Sequence, residues 1–358
     1  MIFYILNKLG YAVLTLFGVI TVVFLLFTVL PGDPARMMLD QNEDPEQLAI
    51  IKHKYGFDQP VLTQYGYYLN DLSPISIHQN TGDGYTSLAS EKYTYTKLID
   101  FGMRSLVLKY PYLRESFQKT GKTVVEVISE TLPNTIVLAV SAIFIAISLG
   151  ILLGIISANM RDTWLDKTIQ VISTFGMSVP SFFSAILFAW LFGFVLNKYT
   201  NLNMTGSLYE MDDFGEGIHI QLKNIILPAI VLGIRPLAVV IQLMRNSLLE
   251  VYNQEYIRTA QAKGLSQTQI VWRHALKNAL NPVVTAVSGW FASMLAGAVF
   301  VEYIFGWNGL GKEVVDALNT LDLPIIMGAV LVIATTFILI NILVDIIYGI
   351  LDPKVRIR

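Results

Sequence analysis

Six membrane-spanning helices joined mostly by short loops, an all-α integral membrane fold, is what this sequence predicts. Three observations predict it. The 358 residues have a mean hydropathy of +0.55, with 54% hydrophobic and only 15% charged residues, too apolar for an ordinary soluble domain. Six windows are almost free of charge and reach the ~20 residues a helix needs to cross a bilayer. The lysines and arginines of the short connections also fall unequally on the two sides that those windows define.

The first window, Tyr11–Leu30, ends at Pro31-Gly32-Asp33-Pro34. Its length and the lack of a small-residue cleavage site make residues 1–31 a retained helix and not a signal peptide. Residues 32–130 are the one soluble-like stretch, with turn signals from Asn80 to Gly84 and the tyrosines Tyr85, Tyr93, Tyr95, Tyr110 and Tyr112. A small ordered cap and a mobile insert are the two readings, and the aromatic residues favour order. The next windows are Thr131–Met160, Thr168–Asn197 and Asn224–Met244. The last of these is interrupted only by Arg235 and carries Pro228 and Pro236, which can bend a helix and free carbonyls. Asn278–Val301 and Leu323–Val344 complete a core at 131–351, and residues 352–358 form a basic tail.

With the N-terminus placed in the cytoplasm, eleven basic residues lie on the cytoplasmic side. They are Lys8, Arg161, Lys167, Arg245, Arg258, Lys263, Arg273, Lys277, Lys354, Arg356 and Arg358. The short external loops hold three, Lys198, Lys223 and Lys312. The long 32–130 segment is left out because long loops cross largely regardless of charge. Both termini are therefore expected inside.

Much chemistry is excluded at once. With no cysteine there is no disulfide, thiolate metal site or cysteine nucleophile, and the four scattered histidines give no metal-ligand spacing. A net charge of −2 offers nothing to nucleic acid. Gly306–Lys312, GWNGLGK, matches the first part of a phosphate-binding loop, but Glu313 stands where the magnesium-binding hydroxyl belongs, and the topology puts it outside. It reads as a backbone turn. No catalytic residue and no metal site are expected, and Glu302 at the external edge of the fifth window reads as solvated.

The polar stretch Glu255–Pro282 is the most carefully punctuated part of the chain. Glu255–Lys263 is built of helix formers, and Gly264 stands where a left-handed cap would end that helix. Ser266 with Gln269 fits a capping box that starts a second helix. Ile270, Val271, Ala275, Leu276 and Ala279 share one side of it, Arg273 and Lys277 another, and Asn281-Pro282 halts it. Ala260, Ala262 and Gly264 keep the turn slim. Spacing alone leaves two readings open: an amphipathic pair lying in the membrane interface, with basic residues near headgroups, or a plug that enters a pocket. Arg235, the one charge near the middle of a span, either lines a path or pairs with an acid of this chain or of a neighbour. Asp345 is a candidate partner for Arg245 or for the polar stretch, or a tolerated interfacial charge.

The stretch QEYIRTAQAKGLSQTQIVWRHALKNALNPVVT (Gln254–Thr285) resembles the cytoplasmic coupling loop of ABC-importer permeases, in the form of the dipeptide/oligopeptide subfamily. VLPGDPA (Val29–Ala35), YGFDQPVLTQY (Tyr55–Tyr65), TLPNTIVLA (Thr131–Ala139), VEYIFGWNGLGKEVVDAL (Val301–Leu318) and NILVDIIYGILDPKVRI (Asn341–Ile357) resemble further segments of that subfamily, in order. Asn308 stands where a proline is usual. Where the general family pattern begins Glu-Ala-Ala, this chain has Arg258-Thr259-Ala260, and it ends His274-Ala275-Leu276-Lys277, as the subfamily commonly does. Residues from about 72 to 108 have no counterpart and read as an insertion.

The resemblance implies a type I importer permease with a coupling loop at 249–282. In that loop Glu255, Tyr256, Arg258, Thr259, Ala260, Ala262, Lys263, Gly264, Ser266, Arg273 and His274 would meet an ATPase. It further implies a heterodimer with a second permease, two cytoplasmic ATPase subunits that use ATP and magnesium, and an external substrate-binding protein. This chain would bind no cofactor, sit multi-pass in the inner membrane among lipid, and carry peptides or similar small solutes by alternating access. An ion-coupled transporter would need intramembrane acids or histidines, which the spans do not offer. A purely structural membrane protein would have a loop that binds no ATPase.

Overall fold

The computed structural model describes residues 2–29, 34–37, 44–82, 84–90, 92–211 and 217–351. The expected turn at 31–33 and the tail at 352–358 lie outside these residues, as does the side chain of Asp345.

In chain order the structure runs α1 (Ile2–Val29), α2 (Pro34–Met37), α3 (Pro45–Tyr55), α4 (Val61–Leu72), then the strands β1 (Ile75–Gln79), β2 (Tyr95–Asp100) and β3 (Arg104–Lys109). Next come α5 (Val124–Asn159), α6 (Trp164–Ser178), α7 (Ser181–Phe188), α8 (Asn197–Thr200) and the short strands β4 (Tyr209–Met211) and β5 (Ile218–Ile220). The long α9 (Ile226–Tyr252) precedes α10 (Glu255–Ala262), α11 (Gln267–Ile270) and α12 (Leu276–Ala279). Last come α13 (Asn281–Gly297), α14 (Val299–Phe305), α15 (Leu310–Thr320) and α16 (Leu323–Leu351).

Four of these helical stretches are long and apolar enough to cross a membrane: Asn7–Thr28, Val124–Asn159, Leu222–Tyr252 and Leu323–Val344. The third and fifth expected spans are instead bent pairs. Trp164–Ser178 and Ser181–Val195 meet at 108°, and Asn281–Leu295 and Val299–Phe305 at 56°. The break in the first pair falls at Val179-Pro180, where the residue before proline is pushed out of the helical region, here to ψ 131°. The count is therefore four spans, or six if each bent pair makes one. Despite its prolines, the fourth window forms one unbroken helix, α9.

The chain divides into two compact units. The first comprises residues 1–130 and 314–335. In it the expectation of an all-α chain fails. The insertion folds as a three-stranded antiparallel sheet in the order β1-β3-β2, with Ile75 opposite Leu108 and Ile77 opposite Leu106. The sheet is ordered around a carboxylate. Asp71, fully buried at the end of α4, accepts from Tyr85 Oη at 2.7 Å, Tyr93 Oη at 2.8 Å and Arg114 Nε at 3.3 Å. A buried charge of this kind persists only when so paired. Phe24 of α1, Tyr68 of α4 and Leu331 of α16 form a separate apolar contact. Asp322 accepts from Ser116 Oγ and from the backbone N–H of Phe117 (3.1 Å) and Gln118 (3.2 Å), tying the segment before α5 to the start of α16.

The second unit comprises residues 131–313 and 336–358. One buried cluster joins α5, α7, α9, α13 and α14 through Leu138, Ala142, Ala185, Val231, Leu295 and Phe305. A second joins α5 and α9 to the polar stretch, and positions the candidate site. β4 and β5 add a small two-stranded ladder beside the first cluster's Leu208.

Candidate functional site

The polar stretch between α9 and α13 folds as a helix, a tight turn and a second helix. Gly264 takes φ +79°, a left-handed conformation that an L side chain enters only at a steric cost. The space around it is open, so backbone geometry alone requires glycine there. Ser266 then caps α11. Its hydroxyl accepts from the Gln269 N–H at 3.4 Å, while Gln269 Oε1 accepts from the Ser266 N–H at 3.0 Å. The second helix continues through a π-helical turn, Val271–Ala275, into α12, and is interrupted at Leu280 just before Pro282.

One face of this unit is locked down. Ile257, Ala260, Ile270, Val271, Ala275 and Ala279 are buried against Ile155 and Ala158 of α5 and Val240, Met244 and Leu248 of α9. Ala260 was expected on the slim outer turn; it faces inward instead, and its small side chain lets α10 lie close to the bundle. The other face is open. Glu255, Tyr256, Arg258, Thr259, Ala262, Lys263, Gly264, Ser266 and Arg273 are exposed, and His274 is half-buried. Arg258 Nη1 reaches Glu255 Oε1 at 2.9 Å, and Asn278 Nδ2 donates to Tyr256 Oη at 2.8 Å across the two helices. Exposed ion pairs of this kind contribute little, so both charges stay available to a partner. Trp272, 62% exposed beside Arg273, belongs to the same face, and helical spacing from the buried Val271 does not reveal it.

α9 leads into the loop and carries two arginines with different fates. Arg245 makes a bidentate pair with the buried Asp166 of α6, Nε to Oδ1 at 2.8 Å and Nη2 to Oδ2 at 2.7 Å, with Ser157 Oγ donating to Oδ1 at 2.5 Å. Asp345, one candidate partner for Arg245, has its side chain outside the described residues. Arg235 is exposed and has no ionic partner among the described residues. It borders a cavity of about 110 Å³ with Ser181, Ser184, Ser293 and Trp290.

The GWNGLGK turn binds a carboxyl group, and that group belongs to the chain. Glu302, expected in solvent, is fully buried. Its Oε2 accepts from the N–H of Gly311 at 2.7 Å and of Lys312 at 3.1 Å, at the start of α15, where backbone donors are unsatisfied. A Cβ on Gly309 would stand 2.5 Å from that carboxyl group, so a glycine is needed for the close approach. α5 holds the same turn. Leu310 N–H donates to Thr135 Oγ1 at 2.8 Å, Asn134 Nδ2 to the Asn308 carbonyl at 2.7 Å, and Trp307 Nε1 to the Asn134 carbonyl at 3.1 Å. Two of the segments that carry the resemblance thus bond to each other. Among the described residues no group of three or more His, Asp or Glu side chains could hold a metal ion.

Known proteins resemble this chain over its whole length. A dipeptide transport system permease protein of Alkalihalophilus pseudofirmus is 33% identical, the match covering 99% of this chain and 100% of the relative. A di/tripeptide transport system permease protein of Pseudomonas aeruginosa is 32% identical over 99% of each. Among solved structures, a chain described under inward facing conformations of the MetNI methionine ABC transporter matches with a TM-score of 0.46 and 18% identity, covering 65% of this chain and 96% of that one. Residues 1–90 match the N-terminal family of binding-protein-dependent transport system membrane components, and residues 150–357 the inner membrane component family itself. The relatives are permease subunits and not enzymes. This chain belongs to the family of binding-protein-dependent transport system inner membrane components.

Proposed function

We propose that the chain is a permease subunit of an ATP-driven peptide importer of the inner membrane, forming the translocation path together with a second, homologous permease. Both bent pairs count as spans in this reading, which makes six, with both termini and the 249–282 loop in the cytoplasm and residues 32–130 outside. Two separate ATPase subunits hydrolyse ATP with magnesium, an external binding protein delivers the solute, and this chain binds no cofactor. ATP-driven closure of the ATPases moves the loops, and the helices rock between inward-open and outward-open states. Coupling of this sort requires that each partner contact the two states unequally, since an indifferent partner shifts nothing. The whole-chain likeness to dipeptide permeases supports peptides as the solute.

The observation that carries the coupling role is the two-faced loop: one face clamped to α5 and α9 by buried apolar residues, the other presenting charged and aromatic side chains on a glycine turn. Force applied to such a loop reaches the spanning helices without being absorbed by slack. Trp272 beside Arg273 also suits a membrane interface, which is the rival reading. One pair of substitutions separates them. Asn tolerates the left-handed region better than most residues and Val does not. Gly264→Val is expected to insert normally yet lose most ATPase co-purification and solute-stimulated ATP turnover, while Gly264→Asn retains more of both. Wild-type levels in Gly264→Val would make the loop an interfacial helix pair.

A further inference from the structure

The first unit holds a cavity of about 380 Å³ where the C-terminal end of α1, the α3–α4 pair, the Leu113–Phe117 segment and the start of α16 converge. That volume falls in the usual range of about 300–1,000 Å³ for small-molecule sites. Its apolar wall is made by Phe24, Phe27, Phe117 and Met327. The same lining also carries polar groups that are incompletely satisfied. Tyr68 is 3% exposed, and its hydroxyl has no hydrogen-bond partner. Arg114 spends only Nε on Asp71, at 3.3 Å, and its two terminal nitrogens have no partner among the described residues. Its guanidinium lies over the Tyr68 ring, 5.3 Å from the ring centre. Lys52 adds a second cation to the lining.

A buried hydroxyl left unpaired costs on the order of 1–3 kcal/mol, and such groups in native proteins are nearly always partnered. The unspent donors therefore mark the seat of an acceptor, and the ring-lined wall marks the seat of a hydrocarbon. Free phosphate would satisfy the first and leave the second bare. Thr28 and Val61 are exposed at the rim, and Thr28 closes the apolar stretch Asn7–Thr28, so the cavity stands at the level where a spanning α1 leaves the bilayer. An acyl chain can enter there without leaving the membrane, while its head stays at the level of Arg114 and Lys52. We infer that the cavity is a site for an anionic phospholipid, its phosphate at Arg114 and the Tyr68 hydroxyl and one acyl chain along Phe24, Phe27 and Met327. The inference rests on α1 being a span, and sidedness decides only which leaflet supplies the lipid.

The test uses the full-length chain with its partner subunits in nanodiscs of equal phosphatidylglycerol and phosphatidylethanolamine, with retained lipid counted by native mass spectrometry after extraction. Wild type is expected to retain phosphatidylglycerol several-fold over phosphatidylethanolamine. Tyr68→Phe removes only the unpaired hydroxyl. It should raise the unfolding temperature of lipid-stripped protein and cut phosphatidylglycerol retention several-fold. Val61→Trp, at the exposed rim, should block entry with folding unharmed. Equal retention of both lipids, unchanged retention in both variants, or stabilisation by inorganic phosphate as large as by phosphatidylglycerol would each overturn the site. Solute uptake measured in parallel keeps the two readings apart. Uptake without retained lipid sinks only the lipid site, and retained lipid without uptake sinks only the transport role.

Discussion

Arg235 shows what a single residue can disclose inside a membrane segment. The isolated chain leaves its guanidinium exposed and without a counter-charge among the described residues, bordering a small cavity lined by three serines. Facing hydrocarbon from the middle of a span costs about 2.5–3.5 kcal/mol on insertion scales. Arg245, a few turns along the same helix, shows the alternative, since it spends its fork on the buried Asp166. Unpaired, Arg235 reads as a residue that meets the second subunit or a water-filled path. Arg235→Ala should insert and assemble normally but change the uptake ratio of acidic to neutral peptides by about tenfold, the effect of ~1.4 kcal/mol. An unaltered ratio with unaltered stability would leave it a tolerated charge. The contrast between the two arginines was legible in the sequence only as a question. Spacing shows that a charge lies in a span, while its partner depends on which helices meet.

Single elements were legible where one physical rule dominates. Long apolar helices, the left-handed glycine and the capping box follow from hydropathy and local backbone chemistry, and they stand where the sequence places them. The sheet did not announce itself because its polarity is inverted. In β1 the buried positions are Ser76 and His78 and the exposed ones Ile75 and Ile77; in β3 Ser105 and Lys109 are buried while Leu108 is 48% exposed. β2 is exposed at all six positions and carries no alternation of burial at all. Glu302 and the Asn134–Asn308 contact escaped for a different reason, being satisfied by residues distant in sequence or by backbone. The outward apolar face, Ile75, Ile77, Ile99 and Leu108, suits a protein partner more than water. Ile77→Ser with Ile99→Ser should leave the sheet folded and weaken capture of the binding protein or the second permease several-fold. Unaltered docking of both would make that face dispensable.

The inner face of the sheet carries its own signature in pH. Burial, the largest effect, holds the His78 imidazole below its ordinary value; the hydrogen bond to the Thr86 carbonyl opposes it, Lys109 and Lys92 add to it and Asp71 works against it. The neutral ring is well served: Nδ1–H donates to the Thr86 carbonyl at 3.0 Å and Nε2 accepts from Ser76 Oγ at 2.9 Å. An unfolded histidine takes up its proton near pH 6.5 and the folded one only below that, so the unfolded state binds more protons in between. Stability is therefore complete above about pH 6.5 and is lost as pH falls through the window beneath it. Amide protection factors at Ile77 and Val107, corrected for the base-catalysed intrinsic exchange rate, should be lower at pH 5 than at pH 7.5, and His78→Gln should flatten that difference. Protection factors that do not change with pH in the wild type would refute it.

At the scale of the whole molecule, every functional assignment inherits the side of the membrane that each loop occupies. The basic residues of the short loops divide eleven to three, a bias that sets orientation in multi-spanning proteins. The two bent pairs make the argument sharper. If the Trp164–Val195 pair were a re-entrant hairpin, the 249–282 loop and the 32–130 segment could no longer face opposite compartments as proposed; if the Asn281–Phe305 pair were, only the loops after it would change sides. Geometry offers two reporters free of packing consequences. Ser266 is exposed at the tip of the loop, and Met103, 86% exposed, sits in the turn between β2 and β3. The chain has no cysteine of its own, so each single substitution gives an unambiguous signal. In intact cells a membrane-impermeant maleimide should modify Met103→Cys and spare Ser266→Cys; after permeabilisation it should modify both. Ser266→Cys depends on its neighbour Gln269 only through a cap, whose loss costs about 1 kcal/mol and leaves the buried face of the loop in place. Labelling of Ser266→Cys from outside would invert the assignment. Labelling of both positions from outside would do more: it would require an even number of spans between them, making one bent pair a hairpin that enters and leaves on the same side.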